Sequence, residues 1–296
     1  MNVGIIGGGA IGLLFGAYMA EQGHHVTVYT RTEQQAAILA EEGITNVASD
    51  DNRSNHVVQA FCIMHGIKSH DLIIIAVKQY HFQQLKDIIR MIHFSTPILF
   101  IQNGMSHLDF MSSLPQQTLL VGVVEHGALR KNEHSVVHAG VGMTKISTYK
   151  GNEELLKDIL PSIHSERFPI VEVKDWYEML IAKIVVNAMI NPLTALLRVE
   201  NGELLRNPYF YSLFKKLFEE ITLLLNPVNP DTWWNTVVSV CENTAHNRSS
   251  MLRDIEKNNK TEIESILGYL RTHQKKNNHP TPIIDFLYYG IKGLEK

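Results

Sequence analysis

The sequence predicts an α/β fold: an N-terminal Rossmann-type doubly wound sheet followed by an all-helical C-terminal domain. Two observations predict it. Short apolar runs alternate with helical patterns through the first half of the chain, as in a parallel sheet built from βαβ units. Beyond about Lys174 the strand-like runs stop and the texture is helical to the end. The division falls at 172/173, giving one domain over 1–172 and a second over 173–296.

The elements follow in order. Val3–Ile6 reads as a short strand, and Ala10–Gln22 as a helix that Gly23 stops. His25–Thr30 is rich in β-branched residues and forms the second strand. Leu72–Val77 is almost purely apolar, as expected of a strand buried on both faces, and Pro97–Ile101 and Leu119–Val124 continue the sheet. Residues 50–67 fit short strands or a loop equally. Asp175–Asn191, Pro208–Leu225, Thr232–Thr244, Ser250–Glu256 and Thr261–Thr272 then read as helices. Either Ser249 or Ser250 is placed to cap the fourth of these, and Thr261 with Glu264 would form a capping box for the fifth.

Composition narrows the function classes. The 296 residues are 45% hydrophobic and 19% charged, with a formal net charge of -3. That suits a globular chain with a large core and argues against a nucleic-acid partner, which needs a clustered basic excess. Lys275-Lys276 is a short pair that reads as a solvated face or loop. Cys62 and Cys241 are far apart and in no ligand spacing, which fits a reducing cytoplasm. Met1 leads almost directly into an apolar run, so no signal peptide is expected. Runs such as Leu72–Val77 are too short to span a bilayer, so no membrane partner is expected. The 15 histidines are scattered as surface or turn residues without metal-ligand spacing, and no metal site is expected.

The opening turn carries the clearest chemistry. Gly7-Gly8-Gly9-Ala10-Ile11-Gly12 matches G-x-G-x-x-G between a strand and a helix, the context that makes the motif meaningful. Gly7 permits the tight turn, Gly9 lets backbone approach a pyrophosphate, and Gly12 lets the helix pack on the strand. The backbone of Gly9, Ala10, Ile11 and Gly12 at the helix N-terminus would then face the phosphates. Dinucleotide sites that hold a free ribose 2′-OH place an acid near the end of the second strand. This chain has Tyr29-Thr30-Arg31-Thr32 there. Arg31 suits a 2′-phosphate and so NADPH/NADP, or else is a solvated arginine in a βα loop. Lys78 and Asn103 follow predicted strands on the edge where ligands lie in open α/β sheets. Singly, Lys78 also reads as a solvated charge and Asn103-Gly104 as a turn.

The second half holds two polar constellations. Lys183, Asn187 and Asn191 are four apart on a helix and share one face amid apolar neighbours. A lysine in a partly dry cleft would have its pKa lowered towards neutrality, which suits a general acid; an amphipathic stripe explains the same spacing. Glu262 lies in a first helical turn, where an acid is favourable for dipole reasons alone, and Ser250 opens another helix.

Taken together, the glycine turn, Val77-Lys78, Ile101-Gln102-Asn103-Gly104, Lys183 with Asn187 and Asn191-Pro192-Leu193-Thr194-Ala195-Leu196, Asn201-Gly202, Ser249-Ser250-Met251-Leu252-Arg253-Asp254, Thr261-Glu262-Ile263 and Thr281-Pro282 resemble the ketopantoate reductase family over nearly the whole chain. The resemblance implies an NADP-binding Rossmann domain, a helical substrate and catalytic domain, and hydride transfer from NADPH to the ketone of ketopantoate. It makes Lys183 the general acid and Glu262 the catalytic-site carboxylate that binds the substrate's terminal hydroxyl. Ser250, Asn187 and Asn191 become substrate contacts, as does Asn201. Asn103 would sit by the nicotinamide and substrate, with Lys78 and Arg31 on the cofactor. The implied partner is a small 2-keto acid, and a homodimer is compatible with the sequence, which does not fix oligomeric state. Glu125, in Val123-Val124-Glu125-His126-Gly127, and the segment Asn226 to Trp234 depart from the family pattern. Glu125 keeps open a reductase of another branched 2-keto acid; a non-catalytic NADP sensor is the third reading, against which Lys183 and Glu262 stand.

Overall fold

The computed structural model describes residues 1–48, 52–272 and 279–295; Lys275-Lys276 therefore lies outside the described residues. The chain forms two compact units, one of Met1–Gln102 and His107–Met179, the other of Asn103–Ser106 and Leu180–Lys296.

The first unit is α/β. In chain order it carries β1 (Asn2–Ile6), α1 (Ala10–Glu21), β2 (His25–Thr30), α2 (Glu33–Glu42), β3 (Ile44–Val47), β4 (Arg53–His56), β5 (Gln59–Cys62), β6 (Leu72–Ile75), the short α3 (Gln79–Phe82) and α4 (Lys86–Arg90), β7 (Ile98–Phe100), α5 (Leu108–Ser112), β8 (Leu119–Val124), β9 (Gly127–Arg130), β10 (Ser135–Gly140), β11 (Thr144–Lys150), α6 (Glu153–Ile163) and β12 (Ile170–Glu172). Among the described residues the main sheet has eight strands in the order β12-β11-β8-β7-β6-β1-β2-β5. The run from β5 to β8 is parallel, while β11 pairs antiparallel to β8. The chain winds outward from β1 through β2 to β5, then returns to β6 on the other flank. That reversal between β1 and β6 is a topological switch point, beside which open α/β sheets bind ligands.

A second sheet of four strands, in the order β4-β3-β10-β9, was not foreseen from sequence. It explains α1. Residues 12–19 of that helix are all buried, and a helix buried all round must be covered on both sides. On one side a Cβ on Gly16 would meet Ile5 of β1 at 3.6 Å; on the other it would lie 2.7 Å from Ile44 of β3. Phe168 stacks on Tyr18 at 4.6 Å and meets Phe15 edge-on at 4.9 Å.

The second unit is helical. It holds α7 (Trp176–Leu197) from Leu180 on, α8 (Glu203–Arg206), α9 (Pro208–Leu225), α10 (Pro230–Asn243), α11 (Ser250–Glu256), α12 (263–272, with a π-turn at Glu264–Gly268) and α13 (Pro282–Leu294). Several ends differ from expectation. α7 runs on through Pro192 for a further turn and a half. It is long and apolar enough by length and composition to cross a membrane, but 72% of its most apolar window is buried inside the protein, as for a core helix. α10 starts at Pro230, two residues early, because Asn229 caps it by accepting from Thr232 N and proline suits the first helical position. The atypical 226–234 stretch is thus a helix stop and start: Asn226 takes the left-handed conformation (φ 46°), and Trp234 packs on Phe214 and Phe218. Ser249, rather than Ser250, caps α11 by accepting from Leu252 N at 3.1 Å.

The histidines are not confined to the surface: His70, His107, His126 and His138 are buried. Gly142 N donates to His126 Nδ1 (3.2 Å), so that nitrogen is an acceptor. His138 Nε2 then donates to it (3.1 Å), and Tyr18 donates its hydroxyl to His138 Nδ1 (2.7 Å). A further proton has no place in this chain. Burial, with the neighbouring His138 adding to it, holds His126 down at about 4, and burial alone holds His107 at about 4. Unfolded, both would titrate near 6.5, so between pH 6.5 and 4 the unfolded chain binds more protons than the folded one. Stability is therefore complete above 6.5 and falls as pH drops towards 4. Urea midpoints should decline across that window, the folding free energy changing by up to about 1.4 kcal/mol per pH unit for each histidine. His107→Phe, which keeps a ring stacked on Phe100, should remove one proton's share of the slope; an unaltered slope would show that His107 does not stay neutral.

Candidate active site

The cofactor edge of the first unit is shaped by its glycines. Gly7 has φ +119°, and a Cβ there would lie 2.9 Å from Ala76 O. A Cβ on Gly12 would lie 1.8 Å from Gly7 O, so α1 could not start so close to the sheet with any side chain there. Gly9 differs. Its φ is an ordinary -81° and a Cβ would meet nothing within 4 Å. Neither backbone nor packing demands glycine there, whereas a pyrophosphate lying against the turn would. Gly9 caps α1 without a side-chain hydrogen bond and no acid lies in the first turn. The amides from Ala10 to Gly12 are thus free of side-chain caps, and the turn fits a dinucleotide phosphate. Sequence reading missed what anchors it: Gly8 O accepts from Gln35 Nε2 (2.8 Å) and Arg130 Nη1 (3.3 Å).

Arg31 directly follows β2 and is exposed, with Nη1 3.3 Å from His81 Nε2. Thr32, next in the chain, caps α2 by accepting from Gln35 N. Glu33, the next acid along the chain, pairs with His65 at 2.5 Å. The end of β2 therefore presents a cation and no unengaged acid, which fits a 2′-phosphate. Lys78 lies between β6 and α3, its ammonium 5.8 Å from the Tyr80 ring centroid. Gln102, two residues beyond β7, is only 5% exposed, yet neither end of its amide has a hydrogen-bond partner. Orphaned groups of this kind cost about 1–3 kcal/mol each. Gln102 is thus a candidate cofactor contact that sequence reading passed over, because its neighbours already read as a turn.

In the second unit, Asn103 Nδ2 donates to Glu262 Oε2 at 2.9 Å, joining residues far apart in sequence. Gly104 makes the bond possible: its φ is +81°, and a Cβ would lie 2.4 Å from Ser265 O. Lys183, Asn187 and Asn191 lie on one face of the continuous helix α7, the first two half-buried and the third buried. Thr194, one turn on from Ile190, donates to Ile190 O and lies 2.8 Å from Ser249 Oγ, which ties α7 to the start of α11. Ser250 is exposed at the first position of that helix. Asn201 is held structurally: its N–H donates to Asn247 O and its Nδ2 to Thr244 Oγ1. Glu125, in the first unit, accepts from Lys145 Nζ at 2.9 Å, a half-exposed ion pair that accounts for its charge.

The comparisons with known proteins bear on family and fold. The family model described as Ketopantoate reductase PanE/ApbA matches residues 3–151, and the one described as Ketopantoate reductase PanE/ApbA C terminal matches 175–295. A 2-dehydropantoate 2-reductase of Bacillus subtilis is 40% identical, covering 100% of this chain and 98% of its own. The crystal structure of a probable 2-dehydropantoate 2-reductase from the same organism superposes with a TM-score of 0.90 at 38% identity, over 100% of both chains. D-mandelate dehydrogenase in a ternary structure with NADH and anilino(oxo)acetate gives a TM-score of 0.92 at 20% identity, covering 100% of this chain and 98% of that one, which speaks to fold alone.

The two glycines should behave oppositely. Gly9→Ala should leave the melting temperature unchanged while weakening NADPH binding by about tenfold or more, because the added methyl takes space only a ligand would use. Gly12→Ala should lower the melting temperature itself, since backbone must move. NADPH titration and thermal melts separate the two; wild-type affinity in Gly9→Ala would place the pyrophosphate elsewhere.

Proposed function

The chain belongs to the ketopantoate reductase family, and from that premise we propose that it reduces 2-dehydropantoate to pantoate with NADPH, in pantothenate and coenzyme A synthesis. The observation that carries the reading is the Asn103–Glu262 hydrogen bond of 2.9 Å. It sets an amide and a carboxylate side by side, able together to grip a substrate hydroxyl, in a chain that also opens on a dinucleotide turn.

On this reading residues 1–172 form the NADP-binding domain and 173–296 the substrate and catalytic domain. The bound reduced nicotinamide supplies a hydride for the ketone carbon. Lys183 donates the proton that the developing alkoxide takes up, and its positive charge stabilises that oxygen beforehand. Glu262 accepts a hydrogen bond from the terminal hydroxyl of the substrate. Asn187, Asn191 and Ser250 hydrogen-bond its carboxylate and hydroxyl ends. Asn201 has the weakest claim to a substrate contact, because its Nδ2 is already engaged by Thr244. Asn103 serves both the nicotinamide side and Glu262. Arg31 reads the 2′-phosphate, Lys78 supports the cofactor, and the backbone of Gly7, Gly9, Ala10, Ile11 and Gly12 surrounds the pyrophosphate. The partner is a small 2-keto acid. A homodimer fits the exposed Tyr209, Leu213, Phe286 and Tyr289 of the second unit.

NADPH oxidation with ketopantoate, 2-ketoisovalerate and pyruvate tests the substrate: turnover should be far the fastest with ketopantoate, and another winner would transfer the reading to a different branched 2-keto acid. Lys183→Ala should lower kcat by about a hundredfold or more, the usual worth of a general acid, with NADPH affinity kept; unchanged turnover would remove Lys183 from the chemistry. Arg31→Ala should weaken NADPH by about tenfold or more, as expected for a lost charge-assisted hydrogen bond, and hardly affect NADH. Equal losses would mean that the 2′-phosphate is read elsewhere.

A further inference from the structure

We propose that Glu295, just beyond α13, is a positioning residue for Glu262, acting through its grip on Thr261. The inference rests on the reading of Glu262 as the group that binds the substrate's terminal hydroxyl. Thr261 is 2% exposed and directly precedes Glu262. The expected capping box does not form, because Glu264 turns away and accepts the Tyr288 hydroxyl at 2.6 Å. Thr261 is held instead by a residue 34 positions later: Glu295 Oε1 accepts both its N–H (3.0 Å) and its hydroxyl (2.6 Å).

The directions of these bonds are fixed by chemistry. A carboxylate only accepts, so the Thr261 hydroxyl must donate to Glu295, and its lone pair is left to receive Ile263 N at 3.2 Å. Lys292 Nζ donates to the other oxygen, Oε2, at 2.5 Å, and the Glu295 side chain is 9% exposed. Burial pushes the Glu295 carboxyl up, but the Lys292 and Thr261 donors outweigh it and keep the group below the usual carboxylate range. It therefore stays an anion and a constant acceptor.

The far side of Glu262 is fixed as well. Its carbonyl accepts from Ser265 N (3.1 Å), Ile266 N (3.2 Å) and Ser265 Oγ (3.0 Å). These bonds open the π-turn Glu264–Gly268, a wide turn frequent at functional sites. Glu262 is thus clamped in front by Glu295 through Thr261 and behind by Ser265, and its side chain reaches Asn103 from that fixed base. Without Glu295, two buried donors of Thr261 lose their acceptor and the Ile263 cap loses its aligned hydroxyl.

The test compares two substrates, ketopantoate and 2-ketoisovalerate, which lacks the terminal hydroxyl. In Glu295→Ala the ratio of their kcat/KM values should shift about tenfold against ketopantoate, mainly through KM, and Glu262→Gln should shift it the same way. Glu295→Gln keeps an acceptor oxygen and should restore most of the preference, which a merely structural loss would not. Thr261→Val removes the gripped hydroxyl at nearly constant volume and should repeat the Glu295→Ala shift; it stands in if Glu295→Ala does not fold. If Glu262→Gln shifts the ratio and both Glu295→Ala and Thr261→Val leave it at the wild-type value, or lower both substrates equally, the positioning role is overturned. If Glu262→Gln itself leaves the ratio unchanged, the reading of Glu262 fails and this inference falls with it.

Discussion

The close approach of α1 to β1 governs the first unit. With no side chain at Gly12, the helix starts almost against the carbonyl of Gly7, and any Cβ there would stand 1.8 Å from that oxygen. Everything around it is arranged to hold this contact. Gly7 turns with a φ few other residues adopt. Gln35 and Arg130 fasten the carbonyl of Gly8, and the four-stranded sheet closes over the outer face of α1. At the other end Tyr18, His138, His126 and Phe168 interlock. The helix N-terminus is thereby fixed at the switch point of the main sheet, where its amides are useful.

The second unit solves a different problem. Glu262, its candidate site carboxylate, lies at the start of a helix whose expected capping box is missing. The polar groups there are satisfied by residues distant in sequence: Asn103 for the Glu262 side chain, Glu295 for Thr261, Tyr288 for Glu264. Long-range bonds of this kind form only when several helices are packed, so the carboxylate acquires its orientation together with the fold. On the proposed function, that orientation is the preorganisation on which differential binding depends.

Much of this was legible in advance, and the reasons are physical. β1, α1, β2, β6, β7 and β8 are marked by local patterns, and their order alone yields the parallel sheet. β3, β9 and β10 were missed, and β4 was left open as a short strand or loop, because β3 pairs with β10 roughly ninety residues on, and nothing local announces such pairing. α7 passes Pro192 because burial of its apolar length outweighs one lost backbone bond. The roles of Gly7 and Gly12 followed from the motif, and the lack of any packing reason for Gly9 supports its assignment to a ligand. Gln102, Gln35, Arg130 and Glu295 were illegible, since a polar residue's partner cannot be read from its neighbours. The same limit hid the buried histidines.

The second unit is also discontinuous. Asn103–Ser106 belongs to it although the chain on either side belongs to the first. Only glycine fits at 104, because the carbonyl oxygen and Cβ of Ser265 would lie 2.4 and 2.8 Å from a Cβ there, and Asn103 finds its partner in Glu262. A recombination that exchanged everything beyond Met179 between two relatives would therefore carry over most of the unit yet leave these four residues behind. Such exchanges would be tolerated only where the parents share that loop. Over evolutionary time the loop and the turn at Ser265 should be inherited as one trait, although more than 150 residues of chain separate them.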